Sequence, residues 1–396
     1  MKHLRHLREL VRPVAAGRPA RQGAPHVHPE HPPARETAPL MHLAVLGAGA
    51  VGPACAALAV SQGHSVALWS PRGGGTHGIG ATLAVEGVMA GTARVVVSVE
   101  AARALRGAEA VLVAVPPHAL APVLRRLAPM LAEGVPILLV PSHSLAPLLL
   151  DRLLAHQGVR APIGALAMPP VAAQRLGPDR VRIIALRPGV EVAAVPAGAA
   201  PALARLCAAL FGLAFQPVPD LLAAIMASPE PVMQAALALG NVTRIEAAEA
   251  WDLHAQMTPA ICRLMDGLDA ERLALAAQHG HRLRPLAEWL AHAGDVAPGK
   301  LSDMARALAV VRGPMPGPQG LDTAHLAESV TYGLAFWLRL AAPRGLALPL
   351  TTAAVAVLEA MWGRGLSGDD LIGGTDLAGL PALLRKGHPR ATGPSD

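Results

Sequence analysis

Six consecutive residues constrain this chain more than any other feature: Gly47-Ala48-Gly49-Ala50-Val51-Gly52, a G-x-G-x-x-G run. Alone, such a run is a glycine-rich turn that many α/β proteins carry. Here it follows a short apolar run at residues 43–46 and precedes a helical pattern at 53–62 that Gly63 stops. A strand pattern at 65–69 comes next, so the run sits in a strand-turn-helix-strand unit. In that setting Gly47 permits the tight turn, Gly49 lets backbone approach a pyrophosphate, and Gly52 lets the helix pack closely on the sheet. Ala50 and Val51 open the helix, whose unpaired N–H groups and partial positive charge favour phosphate. The expected ligand is a dinucleotide.

The end of the second strand discriminates between dinucleotides. A site that hydrogen-bonds a ribose 2′-hydroxyl places Asp or Glu there. This chain has Trp69-Ser70-Pro71-Arg72, with no carboxylate. Ser70 is a hydrogen-bond donor and Arg72 a partner for a 2′-phosphate, so NADP is the expected cofactor and NAD the alternative. Two later strand patterns end in Val115-Pro116-Pro117-His118 and Val140-Pro141-Ser142-His143. Open parallel sheets bind ligands at that edge, which sets Val115 and Pro116 beside the nicotinamide. His118 and His143 read as helix-start or rim residues, with an acid–base role as the alternative.

Strand and helix patterns alternate from Met41 onward: strands at 110–115 and 136–140, a helix at 120–131, two further apolar runs within 180–196, a helix at 199–211 and a closing strand at 215–219. The runs within 180–196 are expected to complete the sheet. After Asp220 only helical spacing remains, at 231–246, 259–278, 284–293, 301–311, 323–340 and 350–362. The fold class is therefore α/β: a Rossmann-type doubly wound parallel sheet domain at 41–219, followed by an all-α helical domain at 220–387.

Residues 1–40 stand apart, with seven Pro, five His and a net charge of +4 out of +6 for the whole chain. A mis-assigned translation start, with Met41 as the true one, a disordered basic tail and an organelle presequence are the competing readings. A metal site at His26, His28 and His31 is disfavoured by the interleaved prolines. With only +2 left for residues 41–396, nucleic acid is not an expected partner. Although 52% of residues are hydrophobic, no uninterrupted run of about 18 apolar residues occurs, so no membrane span is expected. Three dispersed cysteines, Cys55, Cys207 and Cys262, fit a reducing, cytoplasmic setting. Phe336 and Trp337 serve either the core or a homodimer interface, and the core is the expectation.

The helical region carries Asn241-Val242-Thr243-Arg244-Ile245-Glu246, then Met257-Thr258-Pro259, Asp269-Ala270-Glu271-Arg272 and Tyr332-Gly333-Leu334, in that order. Thr258 before Pro259 reads as a helix N-cap. This series resembles the octopine/nopaline (opine) dehydrogenase family over nearly all of 41–387. The resemblance implies a substrate cleft between the two domains and NAD(P)H-dependent condensation of an amino acid, or amine, with a 2-oxo acid. It also implies a proton-transferring His supported by an Asp. Alignment on Asn241 places the His position at Gln234, and alignment on Tyr332-Gly333-Leu334 places the Asp position at Ser329. Neither residue titrates near neutrality. No His lies between His156 and His254, so His254 is the nearest replacement base in sequence. Arg244, with Asn241 on the same helix, is the first candidate for a substrate carboxylate; Arg272 and Arg339 follow.

The absence of lysine between Lys2 and Lys300 removes the mechanisms that related two-domain reductases build on a lysine of the helical domain. Two functions remain: an opine-type oxidoreductase with altered proton transfer, and a dinucleotide-binding protein that kept the fold without the chemistry.

Overall fold

The computed structural model describes residues 40–390 apart from Asp295 and Asp322. The histidine cluster and the other features of residues 1–39 lie outside the described residues. Among the described residues, twelve strands form two sheets: β1 (His42–Leu46), β2 (Ser65–Trp69), β3 (Thr82–Gly87), β4 (Gly91–Arg94), β5 (Val96–Val97), β6 (Ala110–Val113), β7 (Ile137–Leu139), β8 (Ile163–Leu166), β9 (Val171–Gly177), β10 (Arg180–Leu186), β11 (Val190–Val195) and β12 (Phe215–Pro217). The larger sheet has the order β12-β11-β8-β7-β6-β1-β2-β5. From β8 to β5 all neighbours are parallel, and β11 turns antiparallel to β8. Strands β6 and β7 are buried along their whole length and β1 from Leu43 onward, as parallel strands covered on both faces must be.

The helices of this half are α1 (Val51–Ser61), α2 (Ala101–Leu105), α3 (Pro117–Leu127), α4 (Ala146–His156) and α5 (Ala200–Phe211). Helix α1 is buried from Gly52 through Ala59, and its sequence is apolar all round. A helix of that kind needs cover on two sides. The second sheet, in the order β4-β3-β10-β9, provides the outer cover: Leu83, Val85, Ala93, Val181 and Ile183 join the core that holds α1.

This corrects one expectation. Of the two apolar runs within 180–196, only β11 completes the main sheet; β10 pairs with β3 and β9 in the second. Arg180, Arg182 and Ile184 are exposed while Val181 and Ile183 are buried, the alternation of a strand with one wet face.

Beyond β12 the chain is helical: α6 (Leu221–Ile225), α7 (Glu230–Glu246), α8 (Pro259–Gln278), α9 (Leu286–Gly294), α10 (Leu301–Arg312), α11 (Ala324–Ser329), α12 (Ala335–Ala341), α13 (Pro349–Trp362), α14 (Asp369–Ile372) and α15 (Leu380–Lys386). Asp220 caps α6 by accepting from the N–H groups of Leu222 and Ala223, a contribution of about 1 kcal/mol. The stretch Leu221–Glu246 is long and apolar enough to cross a membrane. It is nevertheless broken between α6 and α7, and 61% of its most apolar window is buried in the protein. One apolar cluster runs from Ala44 and Leu46 in β1 through α3 and α4 to Leu384 in α15, so sheet and helices share a core. Phe336 and Trp337, each 1% exposed, belong to it rather than to a surface available for dimerisation. All three cysteines are free and buried.

The long helix expected at 323–340 is interrupted. Between α11 and α12, Val330–Leu334 forms a π-helical turn. Gly333 lies there against α7: a Cβ on it would fall 2.5 Å from Pro231 Cγ. The turn brings α11 and the start of α7 together, which is where Ser329 and Gln234 are found.

Candidate functional site

The glycine loop has the form its sequence implies. Gly47 has φ +127°, and a Cβ there would meet the Ala114 carbonyl oxygen at 2.1 Å. A Cβ on Gly52 would fall 1.8 Å from the Gly47 carbonyl oxygen, so close helix packing depends on its absence. A Cβ on Gly49 would meet nothing within 4 Å. Gly49 is therefore open where the other two are closed, and no side chain caps the N-terminus of α1 behind it. An open backbone cradle at a helix N-terminus fits a pyrophosphate.

Arg175 of β9 braces this loop, and the sequence did not disclose it. Its Nε donates to Gly177 O at 2.6 Å. Nη1 donates to Ala48 O and to Gly49 O, the latter at 3.2 Å; Nη2 donates to Gly75 O at 3.0 Å and to Pro178 O. All five N–H donors of the guanidinium are used, joining the glycine loop, the Gly73-Gly74-Gly75 loop and the β9–β10 turn. Burial lowers the Arg175 pKa, opposed in part by Asp179. Only a strand in the second sheet places it here, and that strand carries no motif.

At the end of β2, Ser70 is buried, with its hydroxyl 3.4 Å from Thr76 Oγ1. Arg72 is exposed and enters no ion pair among the described residues. A second cation stands beside it: the Arg126 guanidinium lies 5.2 Å from the Trp69 ring centroid and donates to Pro71 O at 3.0 Å. Between Trp69 and Gly80 the chain has no carboxylate.

Val115 touches the loop from the neighbouring strand end, its Cγ1 lying 3.1 Å from a Cβ built on Gly47. Pro116 is the N-cap residue of α3, Pro117 is its first residue and His118 its second. The His118 Nδ1 donates to Glu328 Oε1 of α11 at 2.5 Å. At the end of β7, Ser142 and Ser144 are buried, with hydroxyls that find no hydrogen-bond partner among the described residues.

The remaining candidates separate. Gln234 on α7 and Ser329 at the end of α11 are half-buried on elements that pack together. Asn241 is a kink in α7, with φ −131°, ψ 19° and its side-chain amide donating to Leu237 O. Arg244 does not present a vacant fork: its Nη1 bonds Glu249 at 3.0 Å, both side chains being largely exposed. Arg339 pairs with Asp369 in the same manner. His254 is 4% exposed, its backbone N–H donating to Asp252 Oδ1 in the loop before α8.

Arg272 is fully buried and structural. It bonds Asp269 at 2.7 Å, Met226 O at 2.6 Å and Arg284 O at 2.8 Å, while Asp269 also accepts from the Leu286 N–H. Glu271 caps α13 through the N–H groups of Leu350 and Thr351. The Asp-x-Glu-Arg series thus holds the helices in register. Thr258 occupies the N-cap position of α8, but its hydroxyl makes no capping bond. Tyr332, its hydroxyl 3.4 Å from Asp370, has its phenol pushed up by burial and by the carboxylates of Asp370 and Glu328.

Residues 217–362 match the family model for the α-helical domain of NAD/NADP octopine/nopaline dehydrogenase, and residues 42–141 match that for the N-terminus of NAD-dependent glycerol-3-phosphate dehydrogenase. An opine dehydrogenase of Arthrobacter sp. (strain 1C) is 25% identical over 325 residues, covering 80% of this chain and 90% of that protein. Among solved structures, octopine dehydrogenase with NADH and L-arginine superposes with a TM-score of 0.71 at 14% identity, covering 89% of this chain and 100% of its own. NADP+-bound yersinopine dehydrogenase gives 0.62 at 17% identity, covering 87% and 98%. With a nucleotide-type sheet in its first half, the chain carries at residues 217–362 the α-helical domain of the NAD/NADP octopine/nopaline dehydrogenase family.

Proposed function

We propose that this protein is an NADP-preferring oxidoreductase that reductively condenses an amino acid, or amine, with a 2-oxo acid in the cytoplasm. The observation that carries the proposal is the open cradle at Gly49, continuous with a β2 end that offers Ser70, Arg72 and Arg126 and no carboxylate. When bound there, the reduced cofactor supplies the hydride that the condensation product accepts at carbon. Gly47, Gly49 and Gly52, with Ala50 and Val51 at the start of α1, hold the pyrophosphate through backbone N–H groups. Val115 and Pro116 wall the nicotinamide end. The side chain of Arg72 meets the 2′-phosphate as a planar donor fork.

Gln234 and Ser329 act in this reading as hydrogen-bonding groups that orient the substrate, since neither exchanges a proton near neutrality. Asn241 shapes α7 at the same cleft. Arg244 binds a substrate carboxylate only by exchanging Glu249 for it.

Calorimetric titration tests the cofactor assignment. NADPH should bind at least tenfold more tightly than NADH, and Arg72→Ala should remove most of that preference. Equal affinity for the two in the wild type overturns the assignment. A second reading, a dinucleotide-binding protein without this chemistry, is favoured by Gln234 and Ser329 standing where a proton carrier and its support are expected. Tight NADPH binding with no oxidation by any mixture of 2-oxo acid and amine selects it.

A further inference from the structure

Condensing an amine with a 2-oxo acid requires a group that carries protons from nitrogen to oxygen, and neither Gln234 nor Ser329 does so. We infer that His118 is the catalytic proton carrier of this protein and that Glu328 is its positioning residue. The inference rests on the condensation chemistry proposed above. It is carried by one contact: His118 Nδ1 to Glu328 Oε1 at 2.5 Å, spanning the first turn of α3 and the last turn of α11.

Three features of this contact favour catalysis over a simple latch. The first is asymmetry of exposure: the His118 side chain is 54% exposed and that of Glu328 15%. The carboxylate is recessed behind the ring and the imidazole is presented outward, as a base with its orienting acid must be. Secondly, the bond to Nδ1 fixes the tautomer, and Nε2 has no hydrogen-bond partner among the described residues, so it is available to substrate. The third is position. His118 stands three residues beyond Val115, whose side chain packs on the glycine loop, at the sheet edge where a nicotinamide ring lies. Glu328 immediately precedes Ser329, at the π-helical turn that draws α11 against α7. His254, at 4% exposure, is buried in its loop rather than presented outward.

The pair accounts for every atom of the condensation. An ammonium substrate gives one N–H proton to Nε2 as its nitrogen attacks the 2-oxo carbon and forms the C–N bond. The imidazolium, held by Glu328 at Nδ1, returns that proton to the former carbonyl oxygen. A second N–H proton follows the same path; the C–O bond then breaks and water leaves with its electron pair. The nitrogen lone pair closes the C=N bond. Charge is +1 before and after, and the resulting iminium carbon is ready for hydride.

The test uses purified full-length protein with NADPH, pyruvate and the standard amino acids in turn. His118→Ala should lower kcat by a hundredfold or more, within the range of about 10²–10⁴ for general acid–base catalysis, and leave the Kd for NADPH unchanged. Added imidazole should restore a substantial part of that loss, because a diffusible base replaces a missing proton carrier but not a missing strut. His118→Gln, which keeps a donor for Glu328, should remain inactive. Activity of His118→Gln within threefold of wild type, or no recovery of His118→Ala with imidazole, overturns the assignment. Wild-type protein that oxidises NADPH with none of these mixtures overturns the functional reading itself, a failure visible before any substitution is made.

Discussion

At the scale of single residues, the glycine loop shows how little side chain the proposed cofactor site tolerates and why. Gly47 and Gly52 are closed by backbone carbonyls, so a methyl group at either collides within the protein itself. Gly49 has space around it in the folded chain and lacks a positive φ, so a methyl group there obstructs only what would bind. The two kinds of glycine therefore fail differently. Gly49→Ala should melt within about 2 °C of wild type and bind NADPH at least tenfold more weakly, whereas Gly52→Ala should lower the melting temperature well beyond that range. Equal loss of stability in both variants would contradict this division. The dyad positions make the complementary point. Gln234 and Ser329 were legible as departures because the family series fixes their places. Glu328 was not, because a carboxylate one position before the expected one is an ordinary helix residue until His118 is seen 2.5 Å away.

Among the elements, β1, the glycine loop, α1 and β2 could be read directly, since a continuous apolar run, a glycine cluster and a helical pattern follow without interruption. The second sheet could not. Of its strands, β3 and β4 fall in a stretch of glycine and small residues, and β10 alternates arginine with valine and isoleucine. Its cover over α1 is nevertheless implied by α1 itself, which is too apolar to face water on any side. The π-helical turn was equally hidden, because the apolar spacing of 323–340 continues across it. Arg175 is the consequence of the second sheet: a cation whose five donors join three loops at the proposed cofactor site. Arg175→Lys cannot reproduce that fork, because an ammonium has three donors on a flexible stem. NADPH affinity should fall about tenfold or more in both Arg175→Lys and Arg175→Ala by titration calorimetry, although no donor of Arg175 is assigned to the cofactor. Wild-type affinity in Arg175→Lys would show that charge alone suffices.

For the molecule as a whole, the net charge of +6 resolves into +4 from residues 1–40 and a few local arginines. Arg72 and Arg126 stand at the end of β2, Arg175 at the glycine loop and Arg272 inside the helical half. The last, fully buried with Asp269, exemplifies a motif whose conspicuous residues serve the scaffold; removing one partner of such a pair costs about 3–5 kcal/mol. The shared core from β1 to α15 keeps the sheet edge and the α7–α11 junction in one body, and the His118–Glu328 contact crosses between them. In the proposed reaction this body joins an amine to a 2-oxo acid and reduces the product. Mass spectrometry of the reaction mixture tests it most directly: protein, NADPH, pyruvate and a panel of amino acids, with stoichiometric NADPH loss followed in parallel. The expected product, for at least one amino acid, is a secondary amine with the summed mass of both substrates less one oxygen atom. Lactate as the only reduced product, or NADPH loss without any such adduct, would contradict it.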